Sequence, residues 1–142
     1  MKYFKFLILI FAYLQLTNSL KQCATTPRWT LSGKKFPTSF AKSQVKVLAF
    51  LKASCGFCQT QMARLIDLQN ELNALNNLNV TIIVINSFDK DSYSKRKIFL
   101  DINANNTIQL VQDTNRLNIW DLYSVETDDM LVFDKYLFSK KF

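Results

Sequence analysis

The chain has no histidine among its 142 residues. That excludes serine–histidine and cysteine–histidine nucleophilic catalysis and removes the commonest zinc ligand. Cysteine is scarce too: three residues, Cys23, Cys55 and Cys58. Three thiols without histidine do not make a structural zinc site, and no bound cofactor is expected. Long apolar runs are also absent. The longest is Phe6 to Leu14, nine residues, too short to span a bilayer. Proline and glycine number two each, and Pro27, Gly33 and Pro37 all fall in 22–40, which reads as an extended lead-in with one short strand near Trp29-Thr30-Leu31. No segment resembles a nucleic-acid-binding module, and neither a repeat nor a low-complexity segment occurs.

The nine-residue run sits where a secretory signal has its apolar region. Lys2 and Lys5 precede it, and Thr17-Asn18-Ser19 supplies the small residues a signal peptidase reads. We expect residues 1–19 to be a leader and residues 20–142 a single domain; an uncleaved signal-anchor, lengthened by Leu16 and Leu20, is the alternative. Removing 19 residues from 142 leaves 123 and takes two positive charges from a formal net charge of +7. That length supports one core. The remaining basic residues are scattered apart from Lys95-Arg96-Lys97 and Lys140-Lys141, a pattern that fits a solvated face or weak polyanion binding. The expected location is the secretory pathway or outside the cell, with no membrane span after cleavage.

Cys55-Gly56-Phe57-Cys58 carries the chemistry. Val45 to Ala53 before it reads as a strand. After it, Met62, Leu65, Ile66, Leu68, Leu72 and Leu75 recur at helical spacing, predicting a helix over 59–76 that Asn76-Asn77 ends. Two cysteines three apart at a helix start share a face. The first sulfur there meets unsatisfied backbone N–H groups at the positive end of the helix dipole, which favours the thiolate, the reactive form. An inert disulfide is the ordinary fate of paired cysteines in secreted proteins; the strand–helix junction favours a redox role. Cys23 reads as a free or intermolecular thiol.

Further on, Val80 to Ile85 is β-branched and apolar on both faces, a central strand of a covered sheet. Asp91-Ser92 is placed to cap a helix over 93–102. Ile108 to Val111 reads as a third strand, Leu117 to Tyr123 as a short helix, Met130 to Phe133 as a fourth strand, and Tyr136-Leu137-Phe138 as the start of a fifth. Strands alternating with helices predict an α/β fold with a mixed central sheet and helices on both faces. Trp29 and Trp120 are expected to pack in the core. Asn79-Val80-Thr81 and Asn105-Asn106-Thr107 are N-glycosylation sequons.

A strand, C-x-x-C and a helix in this order resemble the opening of the thioredoxin fold, and several segments resemble the selenoprotein P N-terminal family. Cys23, Pro27 and Trp29 match its N-terminal spacing. Val45 to Cys58 is similar to its apolar strand followed by selenocysteine-x-x-Cys. Asn79 to Asn86, Ile119 to Leu122 and Asp128 to Asp134 are similar to three further segments in the same order. The resemblance implies a secreted, thioredoxin-like three-layer sandwich whose redox pair is Cys55 and Cys58, with cysteine where selenocysteine usually stands. The family's selenocysteine-rich tail is absent from this sequence, so no selenium-transport role is implied. Thioredoxins place a cis-proline opposite the pair; by the same resemblance that position is Asp128, an auxiliary site candidate. They also bury an acid six residues before the first cysteine, where this chain has Ala49, so a proton-accepting side chain near Cys58 is not identified. The resemblance also implies a closing C-terminal helix, which this sequence is expected to lack, through truncation or with that face covered otherwise.

The activity expected from the pair is thiol–disulfide exchange with protein or small-molecule thiols and disulfides, or thiol peroxidase chemistry at the same sulfurs. The rival is a non-enzymatic extracellular binding module in which Cys55–Cys58 is a permanent disulfide.

Overall fold

The computed structural model describes residues 29–31, 34–36, 45–75, 79–133 and 139–141. The expected leader, Cys23 and Pro27, the Asn76-Asn77 stop and Tyr136-Leu137-Phe138 lie outside the described residues.

The elements follow in the order β1 (Trp29–Leu31), β2 (Lys34–Phe36), β3 (Val45–Leu51), α1 (Gly56–Ala74), β4 (Val80–Asn86), α2 (Lys90–Ser94), α3 (Arg96–Ile102), β5 (Gln109–Gln112), α4 (Ile119–Tyr123), β6 (Met130–Phe133) and β7 (Ser139–Lys141). The β1–β2 pair is a small antiparallel sheet of its own. The main sheet has five strands in the order β5-β4-β3-β6-β7, parallel among β3, β4 and β5 and antiparallel from β3 outward to β7.

β4 is the central covered strand that its composition demands. Ile82, Ile83, Val84 and Ile85 are all buried, and alternate residues feed opposite faces. Burial contributes about 1.5–3 kcal/mol for each such side chain. On one face Ile83 and Ile85 join Leu48, Phe50, Val111, Leu131 and Phe133 beneath Ile119 and Trp120 of α4. On the other, Ile82 and Val84 join Ala49 and Leu51 against Met62 and Leu65 of α1 and Phe99 of α3. This is the expected three-layer arrangement, with helices on both faces of a mixed sheet.

Several boundaries differ from the expectation: β4 runs on to Asn86, β5 is Gln109–Gln112 where Ile108 to Val111 was expected, and α4 starts at Ile119 where Leu117 was expected. Three further differences have a clear local reason. β3 ends at Leu51, not Ala53, because the Ala53 N–H donates to the Asn86 side chain at 2.9 Å instead of to the ladder. The helix after the cysteines begins at Gly56, not Gln59, because Cys55 itself is the N-cap. The helix expected over 93–102 is two helices, α2 and α3, meeting at Lys95, and its cap is Asp89 rather than Asp91: Asp89 Oδ1 accepts from Ser92 N at 2.9 Å.

α1 buries Cys58, Met62, Leu65 and Gln69, one stripe at helical spacing. Gln69 occupies an apolar position yet is satisfied. Its Oε1 accepts from Ile82 N at 2.8 Å, and its Nε2 donates to Val80 O at 3.1 Å and Asn73 Oδ1 at 2.9 Å. That pins the helix to the opening of β4.

Candidate redox site

β3, β4 and β5 run parallel, so their C-terminal ends share one edge of the sheet, the usual place for a site in an α/β fold. Cys55 and Cys58 lie there. Lys52 to Cys55 forms a tight turn closed by Cys55 N donating to Lys52 O at 3.0 Å. Cys55 then adopts an extended backbone, φ −97° and ψ 120°, and its sulfur accepts from Cys58 N at 3.5 Å. The sulfur thus does what a serine or aspartate oxygen does at other helix starts.

The two sulfurs are free thiols in unlike surroundings. Cys55 is partly exposed and Cys58 is fully buried. Hydrogen bonds from the Cys58 backbone N–H and then from the Cys58 side chain draw the Cys55 thiol below its ordinary range, against partial desolvation and the Asp128 charge. Burial pushes the Cys58 thiol up to about 12, and its hydrogen bond to Asp128 acts in the same direction.

Asp128 comes from the turn before β6. Its N–H donates to Phe50 O at 2.9 Å, and the next carbonyl, of Asp129, accepts from Phe50 N at 3.0 Å. These bonds extend the β3–β6 pairing beyond Ala49–Met130 and hold Asp128 at φ 71°, in the left-handed region that Asp and Asn tolerate better than most residues. The side chain then meets the cysteine pair: Cys58 Sγ donates to Asp128 Oδ1 at 3.1 Å. The proton-accepting side chain that the sequence left unidentified near Cys58 is thus Asp128, the auxiliary candidate that the resemblance sets opposite the pair. The acid is not on β3, where Ala49 is, but 70 residues further along the chain from Cys58.

The sequence reading missed a polar network beneath the pair. Asn86, buried at the end of β4, accepts from Ala53 N and donates to Ser92 O at 3.1 Å and to Gln112 Oε1 at 2.7 Å. Ser54 and Ser92 share a hydroxyl hydrogen bond of 2.9 Å. A single polar residue closing the apolar run of β4 was the available signal. Phe57, between the cysteines, is 57% exposed.

Asn79 and Asn105 are both exposed and stand away from the pair, at the entry to β4 and in the turn after α3. Trp120 packs in the core, its ring edge-on to Phe50 at 5.7 Å. In the basic cluster, Arg96 stacks on Tyr93 at 4.5 Å and Lys97 pairs with Asp101 at 3.2 Å. Among the described residues no group of three or more His, Cys, Asp or Glu side chains is placed to hold a metal ion, and no helix is long and apolar enough to cross a membrane.

Residues 18–137 match the family described as the N-terminal region of selenoprotein P. Selenoprotein Pb of Danio rerio is 33% identical over 124 residues, which is 84% of this chain and 44% of that protein. The chain thus spans less than half the length of this relative. Among solved structures, a thiol:disulfide interchange protein from Bacteroides sp. superposes with a TM-score of 0.61 at 18% identity, covering 87% of this chain and 82% of that one. A thioredoxin-like protein from Aeropyrum pernix gives 0.57 at 14% identity, covering 90% and 83%. The two structural likenesses establish the thioredoxin-like fold.

Proposed function

The chain belongs to the selenoprotein P N-terminal family, and on that premise we propose that it is a thiol–disulfide oxidoreductase of the secretory pathway, with Cys55 as nucleophile and Cys58 as resolving sulfur. The observation that carries this reading is the asymmetry of the pair. One sulfur caps a helix, partly exposed, with its thiol pKa drawn down; the other is buried with its pKa pushed up. A permanent structural bridge needs no such division. Cys55 thiolate attacks a substrate disulfide, one substrate sulfur leaves as thiolate, and a mixed disulfide forms. Cys58 then attacks Cys55 Sγ, releases the second substrate sulfur and closes the Cys55–Cys58 bond. Two electrons pass from the dithiol to the substrate. Exposed Phe57 gives the pair an apolar rim against which a peptide disulfide can dock. A hydroperoxide in place of the disulfide oxidises Cys55 to the sulfenic acid, which Cys58 condenses with loss of water. The leader-like N-terminus and the family support the assignment to the secretory pathway.

Redox titration of the pair against glutathione or dithiothreitol buffers tests the reading. The expected midpoint lies above about −300 mV, the region of catalytic rather than structural disulfides. A midpoint well below that value identifies a structural bridge and favours the binding-module reading.

A further inference from the structure

Cys58 is fully buried and must lose a proton before it can attack. Water does not reach the sulfur, so the proton has to pass to a neighbouring group. The group within reach is the Asp128 carboxylate, already accepting the Cys58 thiol hydrogen at 3.1 Å. Asp128 is itself only partly buried, so a proton received there has an exit to solvent. The other charged groups near this edge are turned elsewhere. Lys52 Nζ lies 3.9 Å from Asp89 Oδ2 and 5.9 Å from the centre of the Trp120 ring. Asp129 Oδ2 accepts from Glu126 N at 2.6 Å.

Building on the redox reading above, we propose that Asp128 is the general base of the resolving step: its carboxylate takes the Cys58 thiol proton as Cys58 attacks Cys55 Sγ and the Cys55–Cys58 bond forms. The departing substrate sulfur leaves with the electron pair of the broken S–S bond, and Asp128 returns the proton to that sulfur or to water. In the reverse direction, protonated Asp128 supplies the proton to Cys58 as the bond opens. The backbone geometry suits this task. Hydrogen bonds from Asp128 N–H to Phe50 O and from Phe50 N–H to Asp129 O fix this turn, and a left-handed φ at a non-glycine position in a reactive site is strain held by its surroundings. A free carboxylate here also disfavours an early Cys58 thiolate, so deprotonation is coupled to attack.

The test is a single-turnover reaction of the reduced protein with oxidised glutathione, following the Cys55–glutathione adduct by acid quench and mass spectrometry. Asp128→Asn keeps the shape and tolerates the left-handed backbone; Asp128→Gly is the second variant, and circular dichroism checks the fold of both. The adduct is expected to form in both variants and to persist about a hundredfold longer than in the wild type at pH 7, within the range for loss of a general base. Its decay should quicken about tenfold per pH unit in Asp128→Asn, as the small equilibrium fraction of Cys58 thiolate rises with pH, and added formate should shorten it in Asp128→Gly. Equal adduct lifetimes in wild type and variants overturn the role of Asp128 alone. Failure of Cys58→Ser to form any Cys55 adduct overturns the redox reading, and the role of Asp128 with it.

Discussion

Cys55 and Cys58 are three residues apart, with opposite electrostatics set by the helix between them. A sulfur at the N-cap receives backbone N–H hydrogen bonds; a sulfur one turn in is on the buried stripe with Met62 and Leu65. The consequence for reactivity is directional. Alkylation by limiting iodoacetamide at pH 7, mapped by mass spectrometry, should label Cys55 well before Cys58. Because the Cys55 thiol pKa is lowered, its labelling should persist below the pH at which an ordinary thiol stops reacting, then fade as pH falls through the lowered value. Cys58, pushed up to about 12, should stay unlabelled in the folded protein across the neutral and mildly alkaline range. Preferential labelling of Cys58 would reverse the assigned roles. That Cys55 is the more reactive sulfur was legible from the C-x-x-C position alone. The resemblance placed Asp128 opposite the pair, but which sulfur its carboxylate meets was not legible, because the contact joins residues 70 apart in the chain.

Among the elements, α4 depends most on a single distant side chain. It is five residues long, too short to be stable in isolation. Its N-cap residue Asn118 sits at φ 47° and makes no side-chain cap. Fully buried Asp113 replaces that cap. Its Oδ1 accepts from Thr114 N at 2.8 Å and Ile119 N at 3.0 Å, and its Oδ2 accepts from Trp120 N at 3.0 Å. The negative charge at the N-terminal end also suits the helix dipole. Asp113→Ala removes the cap and leaves two buried N–H groups of α4 without acceptors, so urea denaturation should show a loss of about 2–4 kcal/mol. A loss below about 0.5 kcal/mol would mean that α4 is held by Ile119 and Trp120 packing alone. The sequence did announce a short helix here, but not its anchor, since Asp113 precedes it by a whole loop. The split between α2 and α3 was hidden for a similar reason: at the break Ser94 Oγ donates to Asp91 O and the Arg96 guanidinium to Tyr93 O, side-chain to backbone bonds that hydrophobic period does not register.

For the whole molecule, export and glycosylation are the readings open to direct measurement. Both sequon asparagines, Asn79 and Asn105, are exposed, and neither lies among the residues that form the redox site. Expressed with its own N-terminus in a eukaryotic secretory host, the protein should leave the cell with Leu20 at or near its first residue. Glycosidase treatment should lower its mass, and Asn105→Gln and Asn79→Gln should each remove one glycan. N-terminal sequencing that returns intact Met1 from exported protein would refute the cleavage.

By itself the sequence determined the α/β class, the central place of β4 and the position of the cysteine pair at a strand–helix junction. Each is written in a local signal: continuous β-branched apolar residues, apolar period, and two thiols three apart. The family resemblance pointed to Asp128 opposite the pair, but only the tertiary structure decided which atoms meet there. Asn86 closes the turn before Cys55, and Asp128 reaches Cys58 from the far side of the sheet order. The physical reason is that a hydrogen bond between distant residues depends on strand pairing and register. Both contacts exist because β3 lies between β4 and β6, with Leu51 opposite Asn86 and Ala49 opposite Met130, an arrangement no single segment encodes.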